Sequence, residues 1–124
     1  MQYPRLEETG FGWVQVDGVR YEEDILITAG GEVKARPKEL SRKYSRGHTP
    51  LGPEEIAEAL VGDPQILVIG AGQFGDLPIM EQTQEVLRQR GVEVHVLHAP
   101  QALELYNRLA GEGRRLAAII HVTC

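Results

Sequence analysis

The stretch Ile66-Leu67-Val68-Ile69-Gly70-Ala71-Gly72-Gln73-Phe74-Gly75 decides the fold. Four apolar residues run without a polar break, as in a strand covered on both faces. The corner after them has glycines at 70, 72 and 75, the Gly-x-Gly-x-x-Gly spacing of a strand-to-helix turn. Downstream, Ile79, Thr83, Val86 and Leu87 recur at helical spacing, predicting a helix over Ile79–Arg90 with Gly91 as its cap. Val92–Leu97 reads as a second strand. Ala102, Leu105, Tyr106 and Leu109 mark a helix over Pro100–Ala110, and Leu116–Val122 is the last strand. Two β-α-β crossovers in series predict parallel strands with right-handed connections.

Upstream of that unit, Pro53-Glu54-Glu55 opens a helix with proline at its first position and acids at the positive end of the dipole. Gly62-Asp63-Pro64 ends it. Residues 37–52 read as irregular. The first third is β: Phe11–Val16, a turn at Asp17-Gly18, Val19–Tyr21, Ile25–Thr28, a second turn at Gly30-Gly31, then Glu32–Arg36. This predicts an antiparallel meander joined to a β-α-β-α-β unit. No linker or repeat divides the chain, so one α/β domain over 1–124 is expected.

Composition narrows the function classes. The 124 residues include 13 Lys+Arg against 18 Asp+Glu, a net charge of −5. That balance argues against a DNA-binding surface, which displaces counterions with clustered cations. The one cysteine, Cys124, allows no internal disulfide, in keeping with a cytoplasmic protein. No apolar run is long enough to span a bilayer.

Three places could carry chemistry. The Gly70–Gly75 corner could cradle an anion or a nucleotide with its backbone amides, which nominates Gly70, Gly72, Gln73 and Gly75 as ligand-binding residues. Asp76 and the missing acid at the tip of the second strand weigh against a dinucleotide. Asn107, off the apolar stripe of its helix, caps a nearby loop or faces a crevice and is nominated with them. The segment Lys34–His48 gathers Lys34, Arg36, Lys38, Arg42, Lys43 and Arg46 against Glu39. It is read as a basic patch, and Arg42, Lys43 and Arg46 are nominated to dock an acidic partner or an anionic ligand. In the ending His121-Val122-Thr123-Cys124, strand geometry places His121 and Thr123 on one face and Cys124 on the other. That ending is read as a docked terminal strand. No cofactor, metal set or catalytic residue is expected from the linear motifs.

The blocks Val94–Leu97, Gln101-Ala102, Tyr106-Asn107-Arg108-Leu109, Gly113 and His121–Cys124 resemble the adipogenesis-associated domain family, which is also similar to mitochondrial complex I assembly factor 3. Gly12-Trp13, Leu67–Gly72 and Gly91 support the likeness. The resemblance implies a three-layer α/β domain with a mixed central sheet and an added β layer. It implies cellular roles in differentiation or assembly and no agreed reaction. The expectation is therefore a non-enzymatic binding, regulatory or assembly-type factor with a protein partner, as monomer or homodimer. The alternative is a small-molecule or anion-binding protein or enzyme using the Gly70–Gly75 crevice.

Overall fold

The computed structural model describes residues 3–124. Its strands are β1 (Leu6–Gly10), β2 (Trp13–Val16), β3 (Val19–Tyr21), β4 (Ile25–Ile27), β5 (Val33–Ala35), β6 (Ile66–Ala71), β7 (Glu93–Leu97) and β8 (Leu116–His121). Its helices are α1 (Pro53–Ala59), α2 (Glu81–Gln89) and α3 (Ala99–Ala110), and Lys38–Tyr44 forms a 3-10 segment.

A mixed five-stranded sheet has the order β5-β4-β8-β6-β7, with β6 parallel to β7 and β8, and β4 antiparallel to β8 and β5. The three strands at its middle are buried at every position, which is why Ile25–Ile27, Ile66–Ile69 and Leu116–Ile120 carry no polar alternation. Ile66, Val68, Ala118 and Ile120 face one core, with α3 and the small sheet β1-β2-β3. Leu67, Ile69, Ala117 and Ile119 face the other, with Ile56, Leu60 and Leu87 of the α1 and α2 side. The outcome is three layers around a mixed sheet, as expected.

The meander differs from the reading. Only β1, β2 and β3 form a separate antiparallel sheet, while β4 and β5 belong to the central one. The chain changes sheets at Glu22-Glu23, because the wholly apolar Ile25-Leu26-Ile27 is stable only where both faces are covered. β1 escaped the reading, since Leu6 is its one buried residue. Asn107 pins it there: Leu6 N–H donates to Asn107 Oδ1 at 3.0 Å, and Asn107 Nδ2 donates to Leu6 O at 2.6 Å. Tyr106 is fully buried, as its place on the apolar stripe predicts, and its hydroxyl donates to Pro4 O at 2.8 Å. Burial pushes that phenol above its ordinary range. Asp17-Gly18 takes positive φ at both positions, the turn that its sequence predicts.

Candidate functional site

Strand register assembles a polar cluster at one end of the central sheet. Ile25 lies opposite both Ala35 and Ile120, so one step further along β4 Asp24 lies beside Arg36 and His121. The parity that sends Leu26 and Ile119 to the α1 side sends these three the same way. Helix α1 supplies Glu55 from across the layer, and the 3-10 segment supplies Ser41.

All five side chains are buried, and each has its partners. Arg36 Nε donates to Glu55 Oε2, and its Nη2 donates to Glu55 Oε1 at 3.0 Å and to Pro50 O at 3.1 Å. Its Nη1 reaches Asp24 Oδ2 at 3.0 Å. Ser41 Oγ donates to Glu55 Oε1 at 2.6 Å and accepts the Gly52 N–H at 3.0 Å. Asp24 Oδ1 accepts the Val122 N–H at 2.9 Å, and its Oδ2 contacts His121 Nδ1 at 2.7 Å. Burial alone would raise the Asp24 carboxyl. His121, the Val122 amide and the nearby Lys38 outweigh burial and hold it at about 2.

An ionised Asp24 is acceptor-only, so His121 Nδ1 is the donor in that contact, and Nε2 is the ring nitrogen turned away from Asp24. That nitrogen lies 3.3 Å from Thr123 Oγ1. His121 and Thr123 are two of the residues lining a cavity of about 190 Å³, with Lys38, Gly47, His48, Thr49, Asp76 and Leu77 around it. Lys38 Nζ lies 3.8 Å from Asp24 Oδ2 and is 39% exposed, placing a cation at the edge of the cluster. A hydroxyl, an imidazole and a carboxylate thus stand in order, beside open space. A larger apolar groove of about 380 Å³ between α2 and β7 gathers no such set; Arg88 is its one charged wall residue.

The glycine corner is placed differently from its reading. Gln73 N–H donates to Thr123 O at 2.7 Å, and Phe74 and Asp76 N–H donate to Cys124 O at 3.2 and 3.0 Å. Of the nominated residues, Gln73 gives its amide to the chain's own β8 extension, and Gly75 N–H donates to Gly72 O at 3.3 Å. Gly72 has φ +97°, and a Cβ there would stand 2.3 Å from the Cys124 carbonyl carbon, so this glycine serves that close approach. Gly70 faces Ala102 and lets α3 settle on the sheet. The Gln73 side chain donates to Thr9 Oγ1 at 3.0 Å and Gly10 O at 3.2 Å, tying the small sheet to the corner. No helix starts at the corner either, because α2 begins at Glu81 with Met80 as its cap. Asn107, on α3, is spent on Leu6 of β1.

The basic segment is divided. Arg36, read with the patch, is interior. Arg42, Lys43 and Arg46 are exposed, and Lys43 pairs with Glu54 at 3.3 Å over the Tyr44 ring. The segment then runs through Gly47, His48 and Thr49 along the cavity wall.

The family model of a protein of unknown function (DUF498/DUF598) matches residues 6–121. The chain belongs to this family. Among solved structures, it is similar to conserved hypothetical protein PH1505 from Pyrococcus horikoshii, at 36% identity and TM-score 0.87, with 97% of this chain and 99% of that one covered. It is similar to MT938 at 34% identity and TM-score 0.82, covering 98% and 99% of the two chains. A Bordetella pertussis protein described as an Mth938-like domain shares the fold at 21% identity and TM-score 0.64, with 95% and 85% covered. These likenesses establish a mixed α/β fold and carry no activity with them. Among the described residues, no helix is long and apolar enough to cross a membrane.

Proposed function

We propose that the chain binds a small anionic ligand, a carboxylate or phosphate, in the cavity between the Lys38–Thr49 segment and the end of β8. The observation that supports this most is the aim of His121: one ring nitrogen is fixed on a buried, ionised Asp24, and the other is offered with Thr123 to the cavity. Burying Asp24, Arg36 and Glu55 together costs several kcal/mol per ion in desolvation, and an apolar core of equal volume is often as stable. Orientation of a working group is what such a cluster supplies beyond stability. Lys38 provides the positive character on the cavity wall.

The test is an amide and imidazole NMR titration with inorganic phosphate and with acetate. Lys38, His48, His121 and Thr123 should shift together, and Lys38→Gln should weaken the effect at least severalfold. Shifts scattered over the surface, or none at millimolar ligand, would refute the reading.

A second reading is an assembly-type factor that docks an acidic protein partner on Arg42, Lys43 and Arg46. Its support is that Arg42 and Arg46 are exposed and have no carboxylate within 4 Å among the described residues, together with the resemblance to the adipogenesis-associated and assembly-factor proteins. Replacing all three by Glu should remove a specific partner from a pull-down. An unchanged partner list would refute it.

A further inference from the structure

We infer that the cavity is an acyl-transfer site in which Thr123 is the nucleophile, His121 its base and Asp24 the residue that orients the base, acting on small carboxylic esters. This rests on the ligand-pocket reading above and adds a reaction to it.

Three observations converge. Thr123 Oγ1, His121 Nε2, His121 Nδ1 and Asp24 Oδ2 form a chain with contacts of 3.3 and 2.7 Å, the order that lets a hydroxyl lose its proton while it attacks. The base and its orienting carboxylate cannot rotate away, because Asp24 is also held by the Val122 amide and by Arg36, which is itself clamped by Glu55. The hydroxyl end of the chain is reachable: Thr123 is half-buried and lines the cavity, while His121 is 9% exposed. A space of about 190 Å³ equals about six waters at ~30 Å³ each, room for an acyl group of a few carbons. Lys38 and His48 line the same cavity.

The step balances without another reagent than water. Thr123 Oγ1 bonds to the carbonyl carbon as its proton passes to His121 Nε2. The carbon–oxygen bond of the leaving alkoxide breaks, and the alkoxide takes that proton away as an alcohol. Water then gives a proton to His121 and its oxygen to the acyl carbon, and the Thr123 oxygen leaves and recovers the proton. Ester and water become acid and alcohol, with no redox change. The imidazolium formed on the way stands beside Asp24 and is favoured by it, while Arg36 and Lys38, which approach the same Asp24 oxygen, limit that gain.

The probe is p-nitrophenyl acetate, with nitrophenolate release followed in the first turnover and the acetylated peptide located by mass spectrometry. The full chain should give a burst with the acetyl group on Thr123. Thr123→Val, which keeps shape and the Thr123 carbonyl, should lose both, and Thr123→Ser should restore both. Asp24→Asn should slow acylation on the order of 10² to 10⁴ fold. A burst that survives Thr123→Val, acetylation confined to Lys38, His48 or Cys124, or no acetylation at all would overturn the inference. The phosphate and acetate titration, run on the same protein, separates the two failures. Shifts at Lys38, His48 and His121 without acylation leave a binding pocket and no nucleophile. Their absence removes the pocket as well.

Discussion

Arg36→Met tests the energetic core of the site. Its side chain is 1% exposed, and the two carboxylates it serves, Asp24 and Glu55, are 5% and 0% exposed. Methionine keeps the apolar stem and removes every charged donor. Glu55 is then left with the Ser41 hydroxyl, and Asp24 with His121, the Val122 amide and a Lys38 ammonium at 3.8 Å. Breaking a buried pair by deleting one partner costs about 3–5 kcal/mol, a large share of the ~5–15 kcal/mol that holds a domain together. With a urea slope of about 2 kcal/mol per molar, the midpoint should fall by about 2 M. The assay is urea unfolding followed by circular dichroism at pH 7. Adding Glu55→Gln to the variant should recover at least about 1 kcal/mol, because a stranded amide costs less than a stranded charge. A single variant within about 1 kcal/mol of the parent, or no recovery in the double, would refute the claim that the cluster is a charged and desolvated unit.

Other outcomes follow from the same contacts. The Asp24 carboxyl sits at about 2 when folded against 3.8 in its ordinary state, so it stabilises the fold by about 2 kcal/mol above pH 4 and loses this as pH falls from 4 to 2; Asp24→Asn should flatten that limb in acid titrations of unfolding. Gly72→Val should destabilise strongly, by about 3 kcal/mol or more, because its Cβ would stand 2.3 Å from the Cys124 carbonyl carbon at φ +97°; calorimetry checks it, and a neutral result would deny the close approach. Asn107→Ala removes two hydrogen bonds to Leu6 and should cost about 1–3 kcal/mol, with faster amide exchange concentrated in β1. Tyr106→Phe deletes one bond to Pro4 and should cost about 1 kcal/mol, with little change in packing.

The legibility of this protein in its sequence follows from how far apart interacting residues lie. Elements announced by local pattern were read within a few residues: β6 and β8 by unbroken apolar runs, α3 by its stripe, the Asp17-Gly18 turn by its dihedral demands. The site was not, because its members flank β4 and β5 or come from α1, the 3-10 segment and the end of β8, and no short spacing joins them. One signal was present. Ile25-Leu26-Ile27 is as uniformly apolar as Ile66–Ile69, and a strand buried on both faces belongs in the middle of the central sheet rather than at the end of a meander. Once β4 is set there beside β8, the antiparallel register that pairs Ile25 with Ile120 brings Asp24 to His121. Asp24 then flanks a buried strand as a charge that must find partners, with Arg36 at the same level on β5. Reading that run as buried would therefore have moved Arg36 from the surface patch to the interior and brought His121 to Asp24. The glycine corner left its alternative open for the complementary reason. Its spacing suits any ligand that needs close backbone approach, and here the approaching group is the chain's own Thr123-Cys124 backbone, which no local pattern distinguishes from an anion.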